Sequence, residues 1–79
     1  MAQRTTADER HSRQELATYF QTLADAFRSD AESISVPVGN KTVRLSPPEE
    51  VSVSVDVVER SSRLRGDHEQ LEIEVSWKP

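Results

Sequence analysis

Apolar residues recur along this 79-residue chain first with a helical period and then with a strand period. Leu16, Phe20, Leu23 and Phe27 follow at spacings of four, three and four, flanked by Ala17 and Ala24, so one apolar stripe runs down about four helical turns. The opposite side, with Arg13, Gln14, Thr18, Gln21, Thr22 and Asp25, is polar. Ser12-Arg13-Gln14-Glu15 has the form of a capping box, in which the serine hydroxyl accepts from the third helical N–H and the glutamate reaches back to the cap N–H. This predicts a helix starting after Ser12. Arg28 in the last turn suits the helix dipole, and Ser29-Asp30 marks the stop. Residues 1–11 are polar, charged and aperiodic, and read as a disordered arm ahead of a single domain over 12–79.

From Ser33 the period falls to two. Ile34, Val36 and Val38 alternate with polar residues or Pro37, Gly39-Asn40-Lys41 supplies turn chemistry, and Val43 and Leu45 resume the alternation, which predicts a hairpin. A two-residue loop at Gly39-Asn40 or at Asn40-Lys41 keeps the apolar side chains on one face, so parity leaves both registers open. Pro37 cannot donate to a ladder, so its strand is a sheet edge or turns that position outward. After the break at Ser46-Pro47-Pro48-Glu49-Glu50, Val51, Val53, Val55 and Val57 alternate with polar residues. Beyond a loop over Arg60 to His68, so do Leu71, Ile73, Val75 and Trp77. Pairing Val57 with Leu71, Val55 with Ile73, Val53 with Val75 and Val51 with Trp77 puts all eight on one face. The expected fold is α+β: one N-terminal amphipathic helix packed on a four-stranded antiparallel sheet made of two hairpins, in the order α-β-β-β-β.

Such a sheet is too large for its helix. A helix of roughly 16 residues is about 24 Å long and 10–12 Å wide. Four strands make a sheet roughly 19 Å wide, and the long strands run about 25–30 Å. Thirteen sheet residues point at the apolar face against four large ones on the helix. A bare apolar face of that size marks an interface, and a twofold homodimer is the simplest cover. Leu16, Phe20, Leu23, Phe27, Val53, Val55, Ile73, Val75 and Trp77 are then the expected core and dimer residues. The competing reading closes the face within one chain through sheet twist with Tyr19, Ala26 and Leu64.

Composition narrows the function classes. Leu, Ile, Val and Phe make up 18 of 79 residues, just above the level at which chains stop burying enough surface to fold. The absence of cysteine removes disulfides, thiolate metal sites and thiol nucleophiles together. A net charge of −4 disfavours a general polyanion binder. Eight of the ten basic residues are Arg and nine residues are Val, a balance expected of a protein from a salt-loving archaeon. No apolar run approaches the roughly 18 residues of a membrane span, and the N-terminus has no apolar signal stretch, so a cytoplasmic protein is expected.

Candidate chemistry is sparse. In the register above Asp56 lies across from Glu72, with Glu74 diagonal, and like charges facing across a ladder are destabilising. Salt screening suffices to relieve this, and a Ca²⁺ or Mg²⁺ ion held by these three carboxylates is the alternative. Arg60, Arg63 and Arg65 in one loop could bind phosphate or a single-stranded backbone, although Glu59, Glu69 and Glu72 offer nearby counter-charges. His11 and His68 are lone and distant, and Asn40-Lys41-Thr42 reads as turn chemistry. No nucleophile elbow, phosphate loop or dinucleotide fingerprint is present, so no enzyme, catalytic residue or cofactor is expected.

The runs ELATYFQTLADAF, SISVPVGNKTVRLSPPEEVSVSVDVVE and LEIEVSW resemble the amphi-Trp domain family, small proteins found notably in haloarchaea. The marks are an amphipathic helix with Leu23-Ala24-Asp25, a turn containing Gly39, the Pro48-Glu49-Glu50-Val51 element and a last strand of alternating acidic and apolar residues closed by Trp77. The resemblance covers about residues 12–77. It implies a compact homodimeric α+β domain and brings no active-site residue. Two functions follow as expectations: a non-enzymatic homodimeric structural or interaction module, or an accessory nucleic-acid-associated protein using the Arg60–Arg65 loop.

Overall fold

A computed structural model describes residues 3–79. The element order is α1 (Arg13–Arg28), β1 (Ile34–Val38), β2 (Lys41–Leu45), β3 (Ser52–Arg60) and β4 (His68–Ser76). The expected α+β order of one helix and two antiparallel hairpins is observed. Hydrogen bonding, however, stays within each hairpin, so there are two two-stranded sheets, β1-β2 and β3-β4, in place of one four-stranded sheet. The chain divides into two compact units, Met1–Pro47 and Pro48–Pro79.

In the first unit the helix begins as its sequence requires. The Ser12 hydroxyl accepts from the Glu15 N–H, and the Ser12 N–H donates to Glu15 Oε1, each at 3.0 Å. Thr18 and Thr22 return their hydroxyls to the carbonyls of Gln14 and Thr18 on the solvent side. At the far end Ser29 leaves the helical conformation, and both its N–H and its hydroxyl donate to the Ala26 carbonyl. Arg28 lies 3.9 Å from Asp25 in the last turn.

The β1-β2 register is Ile34↔Leu45, Val36↔Val43 and Val38↔Lys41, which settles the loop as Gly39-Asn40. Gly39 has φ of 63° and among the described residues no non-glycine residue has positive φ, the pattern of a type II′ turn with glycine in its first central position. Counting from the closing pair Val38↔Lys41, the Pro37↔Thr42 pair falls at a non-hydrogen-bonded position, so the missing proline donor costs the ladder nothing. Its carbonyl, directed away from β2, accepts the Tyr19 hydroxyl at 2.8 Å. Ile34, 6% exposed, is the one buried hydrophobic residue among those described. Tyr19, Leu23 and Ala26 on the helix and Val36, Val38, Val43 and Leu45 on the strands are half-buried around it.

Residues 3–11 form no helix or strand. Met1 and Ala2, the first part of the expected arm, lie outside the described residues. Ala7 and Glu9 lie beside the hairpin turn, and a Cβ built on Gly39 would stand 3.0 Å from that of Ala7. His11 lies between two carboxylates, 3.6 Å from Glu9 and 3.7 Å from Glu15.

The second unit is a long hairpin. Its register is Val53↔Val75, Val55↔Ile73 and Val57↔Leu71, the expected pairing, which extrapolates to Val51 opposite Trp77. At its tip Ser62 organises the loop: its hydroxyl accepts from the N–H groups of Leu64 and Arg65, and its carbonyl accepts from Gly66, which has φ of 79°.

Candidate interaction surface

Two apolar surfaces stand out, one in each unit. The helix presents an apolar arc wider than its own hairpin covers. At about 100° per residue, Tyr19 and Ala26 lie roughly 100° round the helix from Phe20 and Phe27, with Leu23 and Leu16 between them. The flank with Tyr19, Leu23 and Ala26 is the half-buried one, and α1 packs on β1. Phe20 and Phe27 on the other flank remain more than 40% exposed, and so does Leu16 between the flanks, where it borders a shallow groove with Tyr19, Pro37 and Val38. The predicted stripe is therefore split. Leu23 joins the unit's own core, while Tyr19 and Ala26, read beforehand only as possible flanking cover, do the packing on β1. The signal for them was present in the width of the arc, since a core-facing stripe spans 100° or more.

In the second unit the predicted face is assembled as expected and is open. Val53, Val55, Val57, Leu71, Ile73 and Val75 share one side of the hairpin and are 40–65% exposed. Trp77, at its end, is half-buried. At the other end of this same side, Glu59 stands opposite Glu69. Leu64, offered by the closed-chain reading as cover, is 98% exposed at the loop tip and covers nothing.

The polar side of the hairpin brings Asp56 opposite Glu72, with Glu74 one pair along opposite Ser54. The Gln70 amide donates to Glu72, giving that carboxylate a protein partner. Among the described residues no group of three or more His, Asp or Glu side chains is placed to hold a metal ion. Asp56, Glu72 and Glu74 share this face of the hairpin.

The arginine loop gathers mixed charge. Arg60 pairs with His68 across the ladder, and a shallow depression there is lined by Glu59, Arg60, Ser61, Asp67, His68 and Glu69. The Ser61 hydroxyl donates to the Asp67 carboxylate at 2.9 Å. Arg63 and Arg65 flank Leu64 in the exposed turn.

The helix cap shifts the titration of one of its own carboxyl groups. The Ser12 backbone N–H, then its hydroxyl, hold the Glu15 carboxyl below the usual glutamate range, with His11 adding a smaller effect in the same direction.

No described helix is long and apolar enough to cross a membrane. No curated protein and no solved structure matches the chain. The model of the Amphi-Trp domain matches residues 2–79. The match takes in the amphipathic helix with Leu23-Ala24-Asp25, the Gly39 turn, Pro48-Glu49-Glu50-Val51 and the acid-apolar last strand closed by Trp77, and because it spans nearly the whole sequence the chain belongs to the Amphi-Trp domain family.

Proposed function

We propose that this protein is a non-enzymatic structural or interaction module that works as a homodimer, in a salt-rich cytoplasm to which its Arg-, Val- and acid-rich composition is suited. The observation that carries the reading is the open apolar face of β3-β4. A lone two-stranded hairpin is marginally stable in water, and this one exposes six large apolar side chains on one side.

A second copy is favoured over an unrelated partner because both surfaces belong to the same chain and occur once each, so one dimer satisfies them in equal number. The test is the dependence of the thermal midpoint on concentration. Unfolding coupled to dissociation raises the midpoint as protein concentration rises, whereas a monomer gives a constant one.

The second reading rests on the exposed turn at the loop tip that carries Arg63 and Arg65. It predicts single-stranded nucleic acid binding that weakens steeply with salt. Binding unaffected by Arg63→Ala and Arg65→Ala together, or none at low salt, ends it.

A further inference from the structure

We infer that the dimer forms by exchange: the open helix flank of one copy, Arg13-Leu16-Phe20, covers the apolar face of the β3-β4 hairpin of the other. This rests on the homodimer reading and specifies which surfaces meet. The first argument is a match of pattern. Arg13, Leu16 and Phe20 lie on one side of the helix at i, i+3 and i+7, a cation followed by two apolar residues over about 10 Å. The hairpin face begins with the Glu59↔Glu69 pair and continues with Val57↔Leu71 and Val55↔Ile73, an acidic pair followed by two apolar rows over about 13 Å.

Laid together with Arg13 at the acidic end, the cation meets the two facing carboxylates that have no opposite charge across the strand, and the apolar rows meet Leu16 and Phe20. Like charges directly opposite in a ladder are destabilising, so a cation between them relieves a cost that the hairpin alone bears. The second argument is dimension. A helix with its side chains is about 10–12 Å wide, close to the width of two strands about 4.8 Å apart with their side chains, so one helix flank suits one hairpin. The third is the connection. Six residues, Pro47-Pro48 among them, separate Leu45 from Ser52, and a short stiff hinge favours exchange between copies.

The natural absence of cysteine makes a clean cross-linking test possible. Phe20→Cys and Val55→Cys are made in separate full-length chains, which are unfolded together, refolded and oxidised. Mass is measured in parallel under the same conditions. Exchange predicts a disulfide joining one chain of each kind, with neither variant cross-linking to itself, and a double variant that links between chains. Val55→Cys linking to itself means that two hairpin faces meet each other, which overturns the exchange and leaves the homodimer intact. A dimer with no mixed cross-link likewise overturns only the exchange. An intrachain disulfide in the double variant together with a monomeric mass overturns both. Leu16→Cys with Leu71→Cys gives a second pair, read in the same way, should Phe20→Cys fail to fold.

Discussion

The Tyr19 hydroxyl donates to the Pro37 carbonyl oxygen at 2.8 Å, joining the middle of the helix to the outer edge of β1. Pro37 lacks a donor and sits at a ladder position that needs none. Its carbonyl points outward from the ladder, and Tyr19 satisfies it. Tyr19→Phe keeps the ring and removes the bond, so it should lower stability by about 0.5–1.5 kcal/mol in denaturant unfolding, with the slope unchanged. No loss would mean that water replaces the hydroxyl at no cost.

Gly39 should resist substitution for two separable reasons. Its φ of 63° is costly for any residue with a Cβ, and that Cβ would press on Ala7. Gly39→Ala is expected to cost about 1–2 kcal/mol from the left-handed backbone alone. Combining it with Ala7→Gly should recover only the part due to crowding. Full recovery in that double variant would place the whole effect in the Ala7 contact and none in the turn.

The helix cap gives the unfolding curve an acid-side slope. Glu15 has its carboxyl lowered by the Ser12 N–H and hydroxyl. A group depressed in the folded state binds its proton more readily when unfolded. Its stabilisation is therefore present above the unfolded value of about 4.3 and is lost as pH falls through the lower folded value. Glu15→Gln keeps an acceptor for the cap N–H and should flatten this part of the pH profile, as measured by thermal unfolding between neutral and acid pH. An unchanged slope would assign it to other carboxylates.

Salt should stabilise the second hairpin. Asp56 faces Glu72 and Glu59 faces Glu69 in the observed register, and both costs fall as the Debye length shrinks to about 3 Å at 1 M salt. The unfolding midpoint should rise with NaCl, and Asp56→Asn should raise it at low salt and reduce its salt dependence. A variant as salt-dependent as the parent would show that the Asp56–Glu72 pair is not the source.

Much of this was legible in the residues. Ser12 and Glu15 announced the helix start because the capping box is local chemistry, and period-two alternation set the β3-β4 register, since a one-residue slip would turn Val55 and Ile73 to opposite faces. Parity could not choose between Gly39-Asn40 and Asn40-Lys41; the positive φ taken by Gly39 did. Alternation assigns each side chain to a face and says nothing of which strand lies beside which across Pro47-Pro48, so the single four-stranded sheet did not follow from it. The division of the helix into a flank packed on β1 and an open one was likewise hidden, because a wide apolar arc does not say how many surfaces share it.

The mass of the protein in solution tests the central claim most directly. Sedimentation equilibrium or light scattering at micromolar concentration and high salt should give twice the chain mass of 8.9 kDa, and Val55→Asp, which sets a charge in the middle of the apolar hairpin face, should shift the protein toward a single chain or unfold it. A folded parent protein at 8.9 kDa across that range would contradict the account.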